Sequence, residues 1–294
     1  MKSGVKRTTP YKVISIIILV ILAILFLFPL YWIVTCAFKP TTDIYASQPV
    51  WWPSEWVTSN FEKLFTKRSA PLFEIGALVG PTVPAAIRWL VNTVFMSVAA
   101  MLLTCITAAM AGYALAKKRF VGRALLFSLI ICAMALPKQV ILIPLLKEMS
   151  ALKLYGSLWA VIFPTVGWPF GVFLMKQFCE GVPGEMLEAA RIDGASEART
   201  FTQIVVPLIK PGIGALAIFT FINSWNDYFM QLVMLPNSAN FTISLGIATL
   251  QGESSVDTGL LMSGAALAAV PIIVVFLIFQ KYFTQGITMG AVKG

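Results

Sequence analysis

Long apolar stretches separated by short polar segments run through this chain of 294 residues. Each stretch has at least about the 20 residues that an α-helix needs to cross a hydrocarbon core about 30 Å thick. The pattern therefore predicts six transmembrane helices. In chain order, they cover residues 13–37, 89–116, 124–146, 156–178, 212–235 and 260–283.

The segments between these spans set the expected organisation. A tail (1–12) precedes the first span, and a second tail (284–294) follows the last. A long loop is expected at 38–88, and its apolar part, 69–86, is broken by prolines and glycines, so we expect it not to span. The other five spans form one expected core that contains a charged loop. This core covers 89–283, and the loop covers 179–211.

Composition supports a membrane protein. Hydrophobic residues make up 58% of the chain and charged residues 12%, whereas about a quarter of the residues in a soluble domain are charged. The net charge of +9 could indicate a nucleic-acid partner, but the basic residues lie scattered at the ends of apolar runs and form no single basic face. We therefore expect an all-α integral membrane protein that binds no nucleic acid.

The distribution of lysine and arginine predicts the orientation of the chain. The two tails, counted with Lys281 at the end of the last span, and segments 117–123 and 176–210 carry 14 of these residues, against eight on the opposite side. Because basic residues are enriched in cytoplasmic segments, both termini and the charged loop are expected in the cytoplasm, and the 38–88 loop outside it. The expected location is the plasma membrane.

Residue types that build catalytic or metal sites are absent or scattered. The chain has no histidine, and its four cysteines show no metal-ligand spacing, which favours a packing role for them. It has no P-loop, no G-x-S-x-G motif and no paired-carboxylate site. The sequence therefore predicts no catalytic residue, no metal and no cofactor, so any ATP-driven role requires a separate ATPase. The cysteines are Cys36, Cys105, Cys132 and Cys179.

The charged loop has the signals of a short folded element. Carboxylates in the first turns and a following glycine predict a helix from Glu185 to Asp193, ended by Gly194 with a positive φ angle. Ser196 is the expected N-cap of a second helix. A helix of this length falls below the 12–15 residues or so that are marginally stable alone in water, so it needs a neighbour.

Two interpretations of this loop stay open from the residues alone. It is either a docking element for a soluble partner, or a plain cytoplasmic loop in which Glu188 and Arg191 pair at i, i+3. Surface pairs of that kind contribute only about 0–1 kcal/mol and are common.

The fourth span contains four helix-interrupting residues: Pro164, Gly167, Pro169 and Gly171. Such interruptions are tolerated at membrane depth where the backbone faces protein or a watery cavity. This span is therefore expected to line an interior.

A polar face is predicted in the fifth span. Asn223, Asn226 and Asp227 recur at i, i+3, i+4, and Asn223 lies roughly 17 Å from the start of the span at 1.5 Å per residue. Amides and a carboxylate there could meet sugar hydroxyls, while Trp225 or Tyr228 offers an aromatic face. The alternative is ordinary hydrogen bonding between helices, worth about 0.6 kcal/mol on average.

Several motifs resemble those of a known family. The order Glu188-Ala189-Ala190, Asp193-Gly194-Ala195, then Ile204 and Pro207, resembles the EAA loop of ABC-importer permease subunits. The Trp225–Asp227 run and two C-terminal motifs resemble the carbohydrate branch, in the subunit type similar to the second maltose permease protein. These motifs are Gln280–Phe283 and Gly286–Gly294. The similarity runs from about Pro29 to Gly294, and the 69–86 segment departs from it.

The resemblance implies a type I ABC-importer permease fold, with the permease core at 89–283. It implies four partners: an ATP-binding-cassette ATPase dimer, a second permease subunit that is expected to be a different chain, an extracytoplasmic sugar-binding protein, and the lipid of the membrane. It also implies that the C-terminal tail can reach the ATPase, and that the visible sugar contacts lie on the other permease subunit. The residues expected to seat the ATPase are Glu188, Ala189, Ala190, Arg191, Asp193, Gly194 and Ala195. The translocation-path candidates are Asn223, Trp225, Asn226, Asp227 and Tyr228.

A secondary carrier driven by an ion gradient is the alternative function. Such a carrier needs intramembrane carboxylates or histidines for ion coupling. Asp227 is the one candidate that the predicted spans offer.

Overall fold

The structure, a computed structural model, describes residues 10–75, 78–251 and 257–291. Three expected features fall partly outside these residues: the start of the N-terminal tail (1–9), the centre of the 69–86 segment (76–77) and the end of the C-terminal tail (292–294). For residues 281–291 only the backbone path is described.

Helices make up most of the described chain, which confirms the predicted fold class. The helices are α1 (Pro10–Ala37), α2 (Thr41–Ile44), α3 (Ser59–Thr66), α4 (Ala85–Lys117), α5 (Arg123–Met134), α6 (Lys138–Ala151), α7 (Trp159–Val166), α8 (Pro169–Glu180), α9 (Gly184–Ile192), α10 (Glu197–Thr200), α11 (Val206–Leu208), α12 (Lys210–Asn226), α13 (Tyr228–Met234), α14 (Ile243–Ala248) and α15 (Thr258–Ala291). A π-helical turn (Phe201–Val205) joins α10 to α11, and a 3-10 turn (Ser238–Asn240) precedes α14.

Among the described residues, four helical segments are long and apolar enough to cross a membrane: Tyr11–Ala37, Ala85–Lys117, Trp159–Glu180 and Thr258–Gln280. Two bent pairs could each add one more span. They are α5 with α6, bent by 108°, and the Glu197–Leu208 segment with α12, bent by 77°. The six predicted spans thus match the upper count of four to six.

Three predicted spans are not single helices: 156–178 is divided into α7 and α8, and two others also break. The 124–146 stretch breaks between α5 and α6 just before Pro137, which lacks the N–H that would continue the helix. The 212–235 stretch ends as α12 at Asn226, because Asp227 leaves helical geometry (φ −77°, ψ 68°) and caps α13 by accepting a hydrogen bond from the backbone N of Met230 at 3.3 Å. The predicted span 212–235 therefore contains two helices, α12 and α13.

The described residues divide into two compact units. The first contains residues up to Arg68 together with Leu250–Leu267. In it, the side-chain amide of the buried Asn60 on α3 donates to the backbone carbonyls of Ala37 (3.1 Å) and Lys39 (2.9 Å). The backbone carbonyl of Asn60 accepts from the hydroxyl of Ser263 on α15 (3.2 Å). These bonds order the chain that follows α1.

The second unit, Ser69–Thr249 with Ala268 onward, is built around α4. Helices α7, α8 and α12 pack against α4 and form two apolar clusters. One cluster includes Cys105 and Cys179, which are free and buried, as expected for packing residues. The other lies around Met96, Ile162 and Met230.

Two small antiparallel strand pairs occupy the 69–86 segment of the second unit. Strand β1 (Ser69–Pro71) pairs with β4 (Thr82–Pro84), and β2 (Glu74–Ile75) pairs with β3 (Leu78–Val79). Residues 69–75 and 78–84 are thus non-helical, as the prolines and glycines of the segment indicate, and α4 begins at Ala85.

Close packing of α4 on α8 depends on Gly112. A Cβ atom there would lie 2.7 Å from the backbone N of Lys176, closer than real contacts allow. We expect Gly112→Val to destabilise the detergent-solubilised protein by about 1–3 kcal/mol, because the backbone of α8 must move. The check is its thermal unfolding midpoint against that of Gly181→Ala, whose new atom would meet Phe178 O at an ordinary 3.4 Å. Equal midpoints would contradict this packing.

Candidate functional site

The charged loop folds as its residues predict. Helix α9 begins after Pro183 and ends at Ile192, within one residue of the prediction at each end. Gly194 has φ +74° and donates its N–H to the carbonyl of Arg191 at 3.1 Å, which ends the helix. Ser196 then caps α10, and its side chain accepts from the backbone N of Arg199 at 3.3 Å.

Side chains from the end of α4 hold this loop in place. Lys117 donates to the carbonyls of Glu180 (3.2 Å) and Val182 (2.6 Å), just before α9 begins. On the far side of α9, Glu197 forms an ion pair with Lys118 and accepts from the Tyr113 hydroxyl at 3.2 Å. Both ends of α9 are therefore tied to one long helix.

Glu197 is the centre of these contacts. The hydrogen bond from Lys118 lowers the pKa of its carboxyl group below the usual value, and Arg191 approaches the second oxygen at 3.7 Å. A lowered pKa in the folded protein means that this contact stabilises at neutral pH and is lost only as the pH falls through that lowered pKa. The loop is therefore anchored in its charged form under cellular conditions.

The loop buries one side and exposes the other. Ala190 is buried and Leu187 packs against the α4–α8 core cluster, which supplies the neighbour that a short helix needs. The opposite side carries an exposed set that we name the docking face: Glu188, Ala189, Ile192, Asp193 and Gly194. The adjacent residues Ala189 and Ala190 thus differ, since Ala189 is exposed and Ala190 is buried. Arg191 is also exposed, and Ala195 is half-buried.

Ion pairing within the loop differs from the simple i, i+3 alternative. Arg191 faces Glu197, and no ion pair of Glu188 is found in the described part of the chain. Ile192 was not among the predicted site residues, but in the structure it is 86% exposed beside them. An isoleucine beside three charged residues in a predicted cytoplasmic helix was the available signal.

The amides of the predicted polar face bond within their own helix. Asn223 donates to Phe219 O at 2.8 Å and Asn226 donates to Ile222 O at 2.9 Å, and both side chains are exposed. These bonds account for one donor of each amide. The interhelical bonds of the alternative interpretation are not found for either amide in the described residues.

Asp227 has a partner that sequence reasoning missed. Its Oδ2 atom lies 3.1 Å from Nζ of Lys138, at the start of α6, and this ammonium group lies 5.0 Å from the ring centroid of Trp168. A lysine inside an apolar run, next to Pro137, was the signal in the sequence, since an ionisable group at membrane depth is a functional candidate.

The two aromatic candidates are placed differently from Asp227. Trp225 is buried and packs on Phe221 with ring centroids 5.4 Å apart, so it offers no aromatic face to a cavity. Tyr228 is half-buried beside Phe229.

Two cavities lie beside the Lys138–Asp227 pair. The larger, of about 470 Å³, is lined by Lys138, Asp227 and Trp168 among mainly apolar side chains. The smaller, of about 260 Å³, shares Lys138 and Trp168 and adds Thr104 and Asn223. In the described residues, no group of three or more potential metal ligands occurs at these cavities or elsewhere.

Comparison with known proteins gives consistent results. Residues 106–289 match the family described as binding-protein-dependent transport system inner membrane component. The arabinooligosaccharides transport system permease protein AraQ of Halalkalibacterium halodurans is 34% identical over 275 residues, which cover 93% of either chain. The trehalose transport system permease protein SugB of Mycobacterium tuberculosis is 28% identical, and the alignment covers 99% of this chain and 100% of SugB.

A solved structure has the same fold. A chain of a bacterial ABC transporter involved in the import of the acidic polysaccharide alginate superposes with a TM-score of 0.77, over 96% of this chain and 100% of that one. Its sequence is 19% identical, so this likeness concerns the fold alone.

Proposed function

The chain belongs to the family of binding-protein-dependent transport system inner membrane components, and from this we propose that it forms one half of the pore of an ATP-driven carbohydrate importer. It is a multi-pass membrane transport subunit and not an enzyme, and a separate subunit hydrolyses ATP. Carbohydrate is the proposed cargo because relatives that match nearly the whole chain are named for transport of arabinooligosaccharides and trehalose.

The docking role is inferred from the exposure and the anchoring of the docking face. This face is exposed, and contacts from Lys117, Lys118 and Tyr113 hold the helix that bears it at both ends. A protruding element fixed to a long helix of the core can transmit a displacement, because it moves with that helix. We propose that an ATPase dimer seats on this face.

The remaining partners follow from the same arrangement. A second permease subunit, encoded as a different chain, would complete the pore, and an extracytoplasmic sugar-binding protein would deliver the cargo. Exposed apolar side chains along α1 fit a lipid environment. With docking on the ATP-containing side, both termini and the 179–211 loop are cytoplasmic, in agreement with the charge distribution.

We further propose that Asn223, Asn226, Asp227 and Tyr228 lie along the translocation path. Exposed amides on a membrane helix face water or protein and not lipid, which suits a pore-lining position. Trp225 supports this helix from the core side.

The comparisons give no support to the ion-gradient carrier. Asp227, its one candidate for ion coupling, is held in an ion pair with Lys138 at 3.1 Å. We do not propose that function.

Purification of the tagged chain in mild detergent from its own cells tests the docking role. We expect a P-loop ATPase and a second permease to remain bound to the wild type, and Glu188→Lys to reduce the recovered ATPase by about tenfold or more, as for a reversed charge at an interface. Glu188 is exposed and makes no ion pair in the described part of the chain, so folding should be unaffected.

The matched control is Val121→Lys, which places the same ammonium group at a fully exposed position of the 117–123 segment, outside the docking face. Equal ATPase recovery from both variants would place docking elsewhere. Recovery of the wild-type chain alone, while it still moves sugar, would overturn the proposed function.

A further inference from the structure

The smaller cavity combines aromatic rings with hydrogen-bonding groups. Trp168 and Phe170, at the start of α8, line it together with Phe219 on α12, while Thr104, Thr165 and Asn223 supply polar groups. Small-molecule sites typically have this mixture of aromatic walls and a few placed polar atoms. A volume of about 260 Å³ suits a single sugar ring, and the larger cavity, which shares Trp168, has room for further rings.

Thr104 provides independent evidence for a ligand. Its side chain is 3% exposed, and its hydroxyl has no hydrogen-bond partner in the described part of the chain. Other helical threonines nearby bond to the carbonyl four residues earlier, as Thr107 does to Leu103 (2.8 Å) and Thr165 to Val161 (2.9 Å). An unsatisfied buried hydroxyl is costly. Ser97, Ser224 and Trp225 also have unpaired buried polar atoms in the described residues but line neither cavity, so of these four Thr104 is the residue placed where a ligand could supply the partner.

The charges beside the cavity indicate a neutral ligand. The ammonium group of Lys138 is already compensated by Asp227, and it keeps donors free for further hydrogen bonds. Asn223 uses its N–H on Phe219 O and leaves its carbonyl oxygen as an acceptor in the described residues. Donors and acceptors are thus available without an uncompensated positive charge, which suits hydroxyl groups better than carboxylates.

We propose that this chain carries its own subsite for one ring of a neutral saccharide, with Trp168 packed against the apolar face of the ring and Thr104, Asn223 and Lys138 bonded to its hydroxyls. The inference rests on the proposed function and assigns a sugar contact to this half of the pore, whereas the resemblance placed such contacts on the other subunit.

The complete transporter with its native partners tests this subsite. Uptake is measured for three labelled neutral probes, trehalose, arabinotriose and diacetylchitobiose, and for an alginate trisaccharide as the anionic probe. ATP hydrolysis by the purified complex is measured in parallel. We expect the wild type to import at least one neutral probe. Thr104→Val should lower its maximal uptake about fivefold, and Trp168→Ala about tenfold or more, while hydrolysis stimulated by the binding protein continues.

Matched variants separate binding from folding. Thr107→Val removes a hydroxyl already satisfied by Leu103, and Trp159→Ala removes a ring stacked on Phe163 outside the set lining either cavity. Phe163 itself lines the larger cavity and not the smaller one that holds the subsite. Both variants should therefore keep binding at the subsite and retain wild-type uptake of a neutral probe, and Trp168→Phe should restore most of what Trp168→Ala loses. If Thr104 is only structural, Thr104→Val leaves uptake unchanged and the protein as stable or more stable, because an unpaired buried group is removed.

The outcomes distinguish the two proposals. Import of a neutral probe by the wild type, with Thr104→Val and Trp168→Ala equally active, overturns the subsite and leaves the importer intact. Import of the anionic probe alone overturns the neutral-ligand assignment. Import of no saccharide overturns the proposed function and the subsite together.

Discussion

Gly194→Val is expected to abolish coupled transport while leaving the chain inserted in the membrane. Gly194 has φ +74°, a region that costs an L-residue about 1–2 kcal/mol and a β-branched residue more. No atom lies within 4 Å of an added Cβ, so the effect comes from backbone strain and not from a clash. Relief of that strain would shift the turn between α9 and α10 and tilt the docking face.

The measurement is sugar uptake in cells beside the amount of protein in the membrane. We expect uptake to fall by at least about tenfold at equal protein level, since a strain of this size is comparable to the 1.4 kcal/mol that changes an equilibrium tenfold. ATP hydrolysis by the purified complex should lose its response to the loaded binding protein.

Two variants control for strain as such. Gly194→Asn should keep most activity, because asparagine adopts the left-handed region more readily than valine. Gly122→Val imposes the same kind of strain, at φ +85° with no neighbouring atoms, but in the 117–123 segment. Normal transport in Gly194→Val, or equal loss in Gly122→Val, would contradict a specific role for the turn.

The docking face needs to be rigid because the binding of the ATPase there has to shift the conformational equilibrium of the whole transporter. Moving a two-state transporter from about 1:99 to 99:1 requires about 5.5 kcal/mol of differential binding. An exposed ion pair, at about 0–1 kcal/mol, cannot supply this. An element tied at both ends, by Lys117 before α9 and by Glu197 after it, can transmit a contact that is spread over its whole face.

The sequence predicts the local structure of this loop well, for physical reasons. Pro183, Gly194 and Ser196 act on their immediate neighbours, so their effects on helix start, stop and capping are visible without the fold. The anchors at Tyr113 and Lys118 were not predicted, because they come from residues 79 or more positions before Glu197. Such contacts depend on tertiary packing, which periodicity does not specify.

The polar face of α12 shows the same limit. Its spacing puts Asn223 and Asn226 on one face, and both are exposed, but the spacing does not show that the helix ends at Asn226. The capping of α13 by Asp227 ends α12, and the ion pair to Lys138 spans 89 residues. Trp225 is buried with its ring packed on Phe221, and polar spacing alone does not reveal this.

Ile192→Ser is expected to weaken ATPase binding strongly without affecting the isolated chain. Ile192 is 86% exposed at the end of α9, so replacing it removes no packing within the chain. If the ATPase covers this side chain, burial contributes about 1.5–3 kcal/mol, which corresponds to about a 10- to 100-fold change in affinity. The check is the amount of ATPase that copurifies in detergent with each variant, measured over a range of protein concentrations.

Val121→Ser is the matched control, because Val121 is a fully exposed aliphatic residue in the 117–123 segment of the second unit. Both variants should unfold at the wild-type temperature, since neither side chain is buried. Loss of the ATPase from Ile192→Ser alone would mean that an apolar contact at the end of α9 supplies much of the docking free energy, with Glu188 and Asp193 setting orientation at its rim. Equal retention by both variants would mean that docking depends on the charged residues and that Ile192 remains exposed in the assembled importer.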